Sequence, residues 1–427
     1  MTQKNLADQL RQLTEFSFLA AIFILPFAKA GFEILFGLTL IFLILTKILN
    51  RQFNVDHTFL IICGLLIVSS SISVSYSGYP ELSGKGILKL VKYILVMFVA
   101  IDLFSSYDCL KRLLWVGLIS LILVLLDSLI QNLWGKDLIL GNPIHYPNEQ
   151  IRLTGPYQSY GLLAAQLIAS IPISLTFLSE TKKTFYLKRS GFGFLLLITF
   201  YVLYQTQSRG GWLAALGSLV VYSFLTRNKW YFIILAIALF TAPLVLPKKV
   251  LFHLDFYNRE ASLVERKLLW KRAISVIQAE PWFGCGINTY TKNYPQYAKG
   301  KEWDLMKQEA VSGGKYADFG EKYIPGHPKQ IPGYYVHNGY LQTAAETGLV
   351  SLALFLMIIG FSFRSGFQAL KKSKKDKKLI IIGLICGLVA LLLQAFVDTT
   401  LHNLQSAVFI WLFLGLLVAV NHVRTKQ

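Results

Sequence analysis

The sequence predicts an all-α polytopic membrane protein of about twelve transmembrane helices with one large extracytoplasmic loop. Three observations predict it. Of 427 residues, 54% are hydrophobic and only 15% charged, against about 25% charged in soluble domains. Apolar runs of bilayer-spanning length recur along the chain. Lysines and arginines gather in short segments between alternate runs, as in cytoplasmic connections.

The runs begin near Phe16, Ile34, Thr58, Ile87, Leu110, Pro156, Gly191, Trp212, Trp230, Val336, Leu379 and Asn403. No small-residue cleavage site follows the first, so it reads as a retained span rather than a signal peptide. Only residues 29–33 separate the first two runs, and a single re-entrant element is the competing reading there. An even number of spans puts both termini on one side. With the termini inside, every inside segment is basic, from Lys4 and Arg11, through Lys47 and Arg51, to Lys371, Lys372, Lys374, Lys375, Lys377 and Lys378. This fixes the expected orientation: both termini cytoplasmic.

The net charge of +19 is spread among these turns. No zinc-finger spacing, RNA-binding signature or long basic stripe accompanies it, which excludes nucleic acid as a partner. Anionic membrane lipids are the expected counter-charge. Four scattered cysteines suggest neither a disulfide framework nor a metal cluster.

The pattern divides the chain into membrane helices over 1–247, a large loop over 248–335 and further membrane helices over 336–427. The loop of roughly 88 residues carries Trp270, Trp282 and Trp303, and connections this long are usually functional or disordered. A smaller outside loop covers about 135–155. In the large loop, Ser262 and Glu265 form an S-x-x-E capping box. Beyond it Arg266, Trp270, Ala273 and Ile277 share one helical face, and the helix should stop near Glu280-Pro281, with Gly284 and Gly286 in a turn. Such a stretch also suits an amphipathic helix lying on the membrane surface.

Beyond the loop comes His337-Asn338-Gly339-Tyr340-Leu341-Gln342, leading through Glu346 into a span. Imidazole titrates near neutrality and can act as a general base. Standing alone, this would be an interfacial histidine. Ser208-Arg209-Gly210-Gly211-Trp212-Leu213 sits at the outer junction of two spans, where an arginine must snorkel or meet an anion. Adjacent glycines let backbone approach a ligand closely. Arg152 precedes Thr154-Gly155-Pro156-Tyr157 at another span. Arginines converging at one depth suit phosphate oxygens. Asp398 and His402, four residues apart at another outer helix end, could pair with each other or serve a merely structural role.

Together these segments resemble the O-antigen ligase/polymerase family. Arg209-x-x-x-Leu213 fits its R-x-x-x-L element. Arg266 with Trp270, Pro281-Trp282-Phe283-Gly284-Cys285-Gly286, and His337 to Gln342 with Glu346-Thr347-Gly348-Leu349 complete the match in order. The resemblance implies a bacterial inner-membrane glycosyltransferase of lipopolysaccharide biosynthesis, working at the periplasmic face on a glycan linked to undecaprenyl diphosphate. Size and the single large loop resemble the ligase branch, whose acceptor is lipid A–core oligosaccharide. Polymerase, protein O-glycosylation and membrane transport are the alternatives, in that order. The implied roles are His337 as base and Arg209, Arg266 and Arg152 on the donor diphosphate, with Asn338, Gly210, Gly211, Trp270 and Glu346 in support. Neither metal nor cofactor enters this scheme, since a diphosphate leaves without protonation and no D-x-D element is present.

Overall fold

The computed structural model describes residues 3–50, 56–144, 152–180, 185–228, 260–297 and 335–422. Among them are thirteen helices and no β-strand. They are α1 (Gln3–Ile24), α2 (Lys29–Asn50), α3 (His57–Ser75), α4 (Pro80–Leu103), α5 (Tyr107–Trp134), α6 (Tyr160–Glu180), α7 (Tyr186–Gln205) and α8 (Arg209–Thr226), then α9 (Glu260–Ala279), α10 (Tyr290–Tyr297), α11 (Gly339–Lys372), α12 (Lys375–Gln394) and α13 (Leu404–His422).

Eight of these are long and apolar enough to cross a membrane: α2, α3, α5, α6, α7, α11, α12 and α13. The predicted all-α polytopic fold is therefore the fold observed. Helices α1, α4 and α8 coincide with predicted spans, but charged or polar residues within each keep them below that measure. The span expected from Trp230, with Trp303 and the middle of the large loop, lies outside the described residues. Residues 16–48 are two antiparallel helices rather than one re-entrant element. They turn at residues 25–28, and the Thr39 hydroxyl donates to the Ser17 hydroxyl across them at 3.0 Å.

The bundle has a buried centre and a lipid-facing margin. The apolar windows of α6 and α13 are 83% buried, whereas that of α2 is 22% buried. In lipid, helices associate through close packing and polar contacts rather than the hydrophobic effect. Here α12 packs against α6 and α8, and α13 packs against α4 and α11. Hydroxyls join them. Ser218 donates to the Cys386 carbonyl at 2.8 Å, and Thr176 to that of Leu379 at 3.0 Å. Gln394, in a span, donates to the Gly161 carbonyl at 3.0 Å, and Gln131 donates to the Thr154 hydroxyl at 3.0 Å. These buried amides tie helices and the smaller loop together.

One helix is broken. Inside α11, Gly348 has φ 80° and ψ 172°, a region open essentially to glycine. The break exposes backbone groups that a membrane cannot satisfy. The segment 281–286 satisfies them: Cys285 and Gly286 N–H groups donate to the Ala345 and Glu346 carbonyls, each at 2.9 Å. Leu349 N–H donates back to the Pro281 carbonyl at 2.8 Å. Loop and span are thus stitched by main chain.

Candidate active site

The end of α12 organises the site. After Gln394 the chain leaves the helix and turns through residues 395–403 before α13 begins. Three helices point their N-termini at this connector. Gly210, second in α8, lies against Val397, and Gly161, second in α6, lies against Asp398. Gly339, first in α11, donates its N–H to the Ala395 carbonyl at 2.7 Å and to the Asp398 carbonyl at 3.1 Å. Side chains at these positions would collide with the connector. Helix N-termini carry unpaired N–H groups and positive partial charge. Their convergence makes this corner favourable to anions.

His337 stands on the turn entering α11, with φ 51°. The next residue holds it there: the Asn338 side chain accepts from the Tyr340 and Leu341 N–H groups at 3.1 and 3.0 Å, capping the helix. The His337 Nδ1 lies 3.8 Å from Asp398 Oδ1. An Asp398–His402 pair does not form. Their spacing of four residues brings side chains together only on a helix, and this stretch is a series of turns. His402 faces Glu346 instead, Nδ1 to Oε2 at 3.7 Å.

Glu346 is buried and joins three elements. It accepts from Asn288 N–H at 2.8 Å, Tyr290 N–H at 3.3 Å and the Gln342 amide at 3.1 Å. Beside it a slot of about 660 Å³ opens between α3, α4, α11 and α13. Leu66, Tyr93, Phe355 and Trp411 line its depth, while Lys89, Asn288, Glu346 and His402 line its mouth. Lys89 donates to the Asn288 side chain at 3.0 Å. His337 does not line the slot. It occupies the other side of the same α11 turn, whose Gly339 carbonyl lies 3.4 Å from His402 Nε2. No spacing in the sequence marked Lys89, which belongs to a distant helix.

Helix α9 packs on α11, so it is not a separate surface helix. Its buried face is Leu269, Arg272, Ala273 and Val276. The expected Arg266–Trp270–Ala273–Ile277 stripe is rotated partly outward, with Trp270 and Ile277 at the margin. A buried arginine, Arg272, occupies a position that apolar patterning passes over. The expected cap also shifts, because Ser262 and Glu265 lie inside a helix already running from Glu260. The stop near Glu280-Pro281 and the glycine turn form as expected, with φ 67° at Gly284 and 113° at Gly286. Cys285 is buried there, and burial, reinforced by Glu346, pushes its thiol up to about 12.

Of the three expected arginines, Arg209 opens α8 with Ser208 as its cap, so it stands at the connector corner. Arg152 lies over the Tyr160 ring, 4.7 Å to the centroid, beside Gly161. Its buried Nε has no hydrogen-bond partner among the described residues. Arg266 is half-buried on α9, one turn before Trp270. The structure thus brings His337, Asn338, Gly210 and the start of α8 onto one connector, and places Glu346 and Trp270 on the adjoining α11 face.

Residues 194–356 match a family model described as O-antigen ligase. This match supports membership of the O-antigen ligase/polymerase family. The match likewise supports glycan ligation of the ligase/polymerase type. The match runs from α7 to the middle of α11, taking in Arg209, Arg266, His337 and Glu346 and stopping before Asp398 and His402. No curated protein matches the chain.

Proposed function

We propose that this protein is an O-antigen ligase. It moves a glycan from undecaprenyl diphosphate to a hydroxyl of lipid A–core oligosaccharide at the periplasmic face of the inner membrane. Residues 248–335 form the periplasmic loop, and both termini are cytoplasmic. The observation that carries this reading is the shared corner: His337 lies beside Asp398 on the connector that α8, headed by Arg209, also meets.

The acceptor oxygen attacks the anomeric carbon as the bond from that carbon to the diphosphate oxygen breaks. The acceptor proton passes to the His337 imidazole, and Asp398 stabilises the imidazolium that forms. Arg209, the converging helix N-termini, Arg266 and Arg152 balance the charge on the departing diphosphate. One displacement inverts the anomeric centre. The separation of 3.8 Å exceeds a hydrogen bond, and such contacts tighten when substrate binds. The adjoining slot supports an amphiphilic substrate, with an apolar depth and a charged mouth.

The test is the lipopolysaccharide ladder of a host lacking this gene. Loss of all polymer-bearing bands, with lipid-linked polymer accumulating, supports the ligase. Core bearing a single repeat unit identifies the polymerase, and an unchanged ladder removes both.

A further inference from the structure

The opposite end of the bundle holds a second polar cavity. It is a cleft of about 610 Å³, open to solvent, between the start of α5, the end of α11, the first turns of α12 and the last turn of α13. Its wall is apolar, with Leu110, Ile380 and Val420. Lys372 and Lys377 line it from two different helices, and no carboxylate does among the described residues. The Lys377 ammonium lies 5.5 Å from the Tyr107 ring centroid, and Lys111 approaches the same ring at 4.7 Å.

Two features point to an anion. Lysines in the last turn of α11 suit the negative end of that helix, whereas Lys377 and Lys378 stand at the positive end of α12, where cations are unfavourable. The α12 cap residue, Lys374, makes no side-chain capping bond, leaving first-turn N–H groups for another acceptor. The sequence of residues 371–378 has six lysines and one acid, Asp376, and Asp108 is the acid next to Tyr107. Asn421 also lines the cavity, its amide donating to the Gln368 side-chain oxygen at 3.2 Å.

We propose that this cavity binds the headgroup of an anionic phospholipid. The phosphate sits between Lys372 and Lys377 at the α12 N-terminus. The acyl chains follow the apolar wall into the bilayer. The site is far from the reacting corner, since α11 alone runs 34 residues from Gly339 to Lys372, about 50 Å of helix. It stands whichever glycan reaction the protein performs.

The experiment uses the full-length protein, delipidated in neutral detergent, and follows thermal unfolding together with lipid retention by native mass spectrometry. The probes are phosphatidylglycerol, phosphatidylethanolamine and inorganic phosphate. Phosphatidylglycerol alone should raise the unfolding midpoint and remain bound one to one. Lys372→Gln with Lys377→Gln should weaken retention at least fivefold, whereas Lys371→Gln with Lys374→Gln, an equal loss of charge, should not. If the double variant does not fold, Ile381→Trp, which fills the cavity without altering charge, should abolish retention. Equal binding of phosphatidylethanolamine, an effect of phosphate alone, equal loss in both charge pairs, or retention in Ile381→Trp overturns the proposal.

Discussion

Asp398 lies 3.8 Å from the imidazole of His337, 61 positions earlier in the chain, and leaves His402, four residues away, to Glu346. Two crossed histidine–carboxylate pairs therefore flank the first turn of α11. They should behave differently when cut. His337→Gln removes the proposed base and should lower glycan transfer about 10²–10⁴-fold. Asp398→Asn, which leaves the imidazole in place, should lower it less. Transfer assayed with lipid-linked donor across a pH series checks both; full activity in His337→Gln would remove the imidazole from the mechanism.

The Glu346 pair should matter for architecture. Its carboxylate accepts from two backbone N–H groups of residues 288–290. Leaving a buried donor unpaired costs about 1–3 kcal/mol, so Glu346→Ala should lower the unfolding midpoint clearly. Glu346→Gln, which keeps an acceptor oxygen, should lower it less. Hydrogen exchange should speed up first at residues 284–290, and unchanged protection there would contradict the role given to Glu346.

Gly348 should tolerate no side chain. A Cβ there would collide with the Trp282 carbonyl, and its φ of 80° with ψ of 172° is open essentially to glycine. Gly348→Ala should destabilise the protein by about 3 kcal/mol or more, combining strain with overpacking. Gly360, further along the same helix, has nothing within 4 Å of a Cβ. Gly360→Ala should be neutral or slightly stabilising, and similar melting of the two variants would count against the docked break.

Cys285 should be silent toward thiol reagents. With its thiol at about 12 through burial and the nearby Glu346, only about one molecule in ten thousand carries the thiolate at pH 8. The neutral form persists until pH rises toward that value, so labelling should require unfolding. Cys109 is half-buried and lies 3.1 Å from the Arg112 guanidinium. It should label first in the native protein, which peptide mapping after maleimide treatment at pH 7–8 reports.

The sequence by itself determined where the chain becomes helical in the membrane. Apolar runs bounded by polar breaks have no other way to satisfy their backbone in lipid, and α2, α3, α5, α6, α7, α11, α12 and α13 stand where those runs predicted. The stop of α9 before Pro281 and the turn at Gly284 and Gly286 were legible too, because proline and glycine act on the local backbone. So were His337, Arg209 and Glu346 as residues to single out.

Only the tertiary structure decided their partners. Asp398 and His402 are neighbours in sequence yet face opposite sides of α11, because α12 ends before them. Trp270 was expected on one α9 face with Arg266, Ala273 and Ile277 and lies at the margin of the buried face, since packing on α11 chose the stripe containing Arg272. The Gly348 break is stable only because residues 281–286 supply its hydrogen bonds. Helix formation is a property of consecutive residues, while pairing across a bundle depends on how helices far apart in sequence rotate and pack.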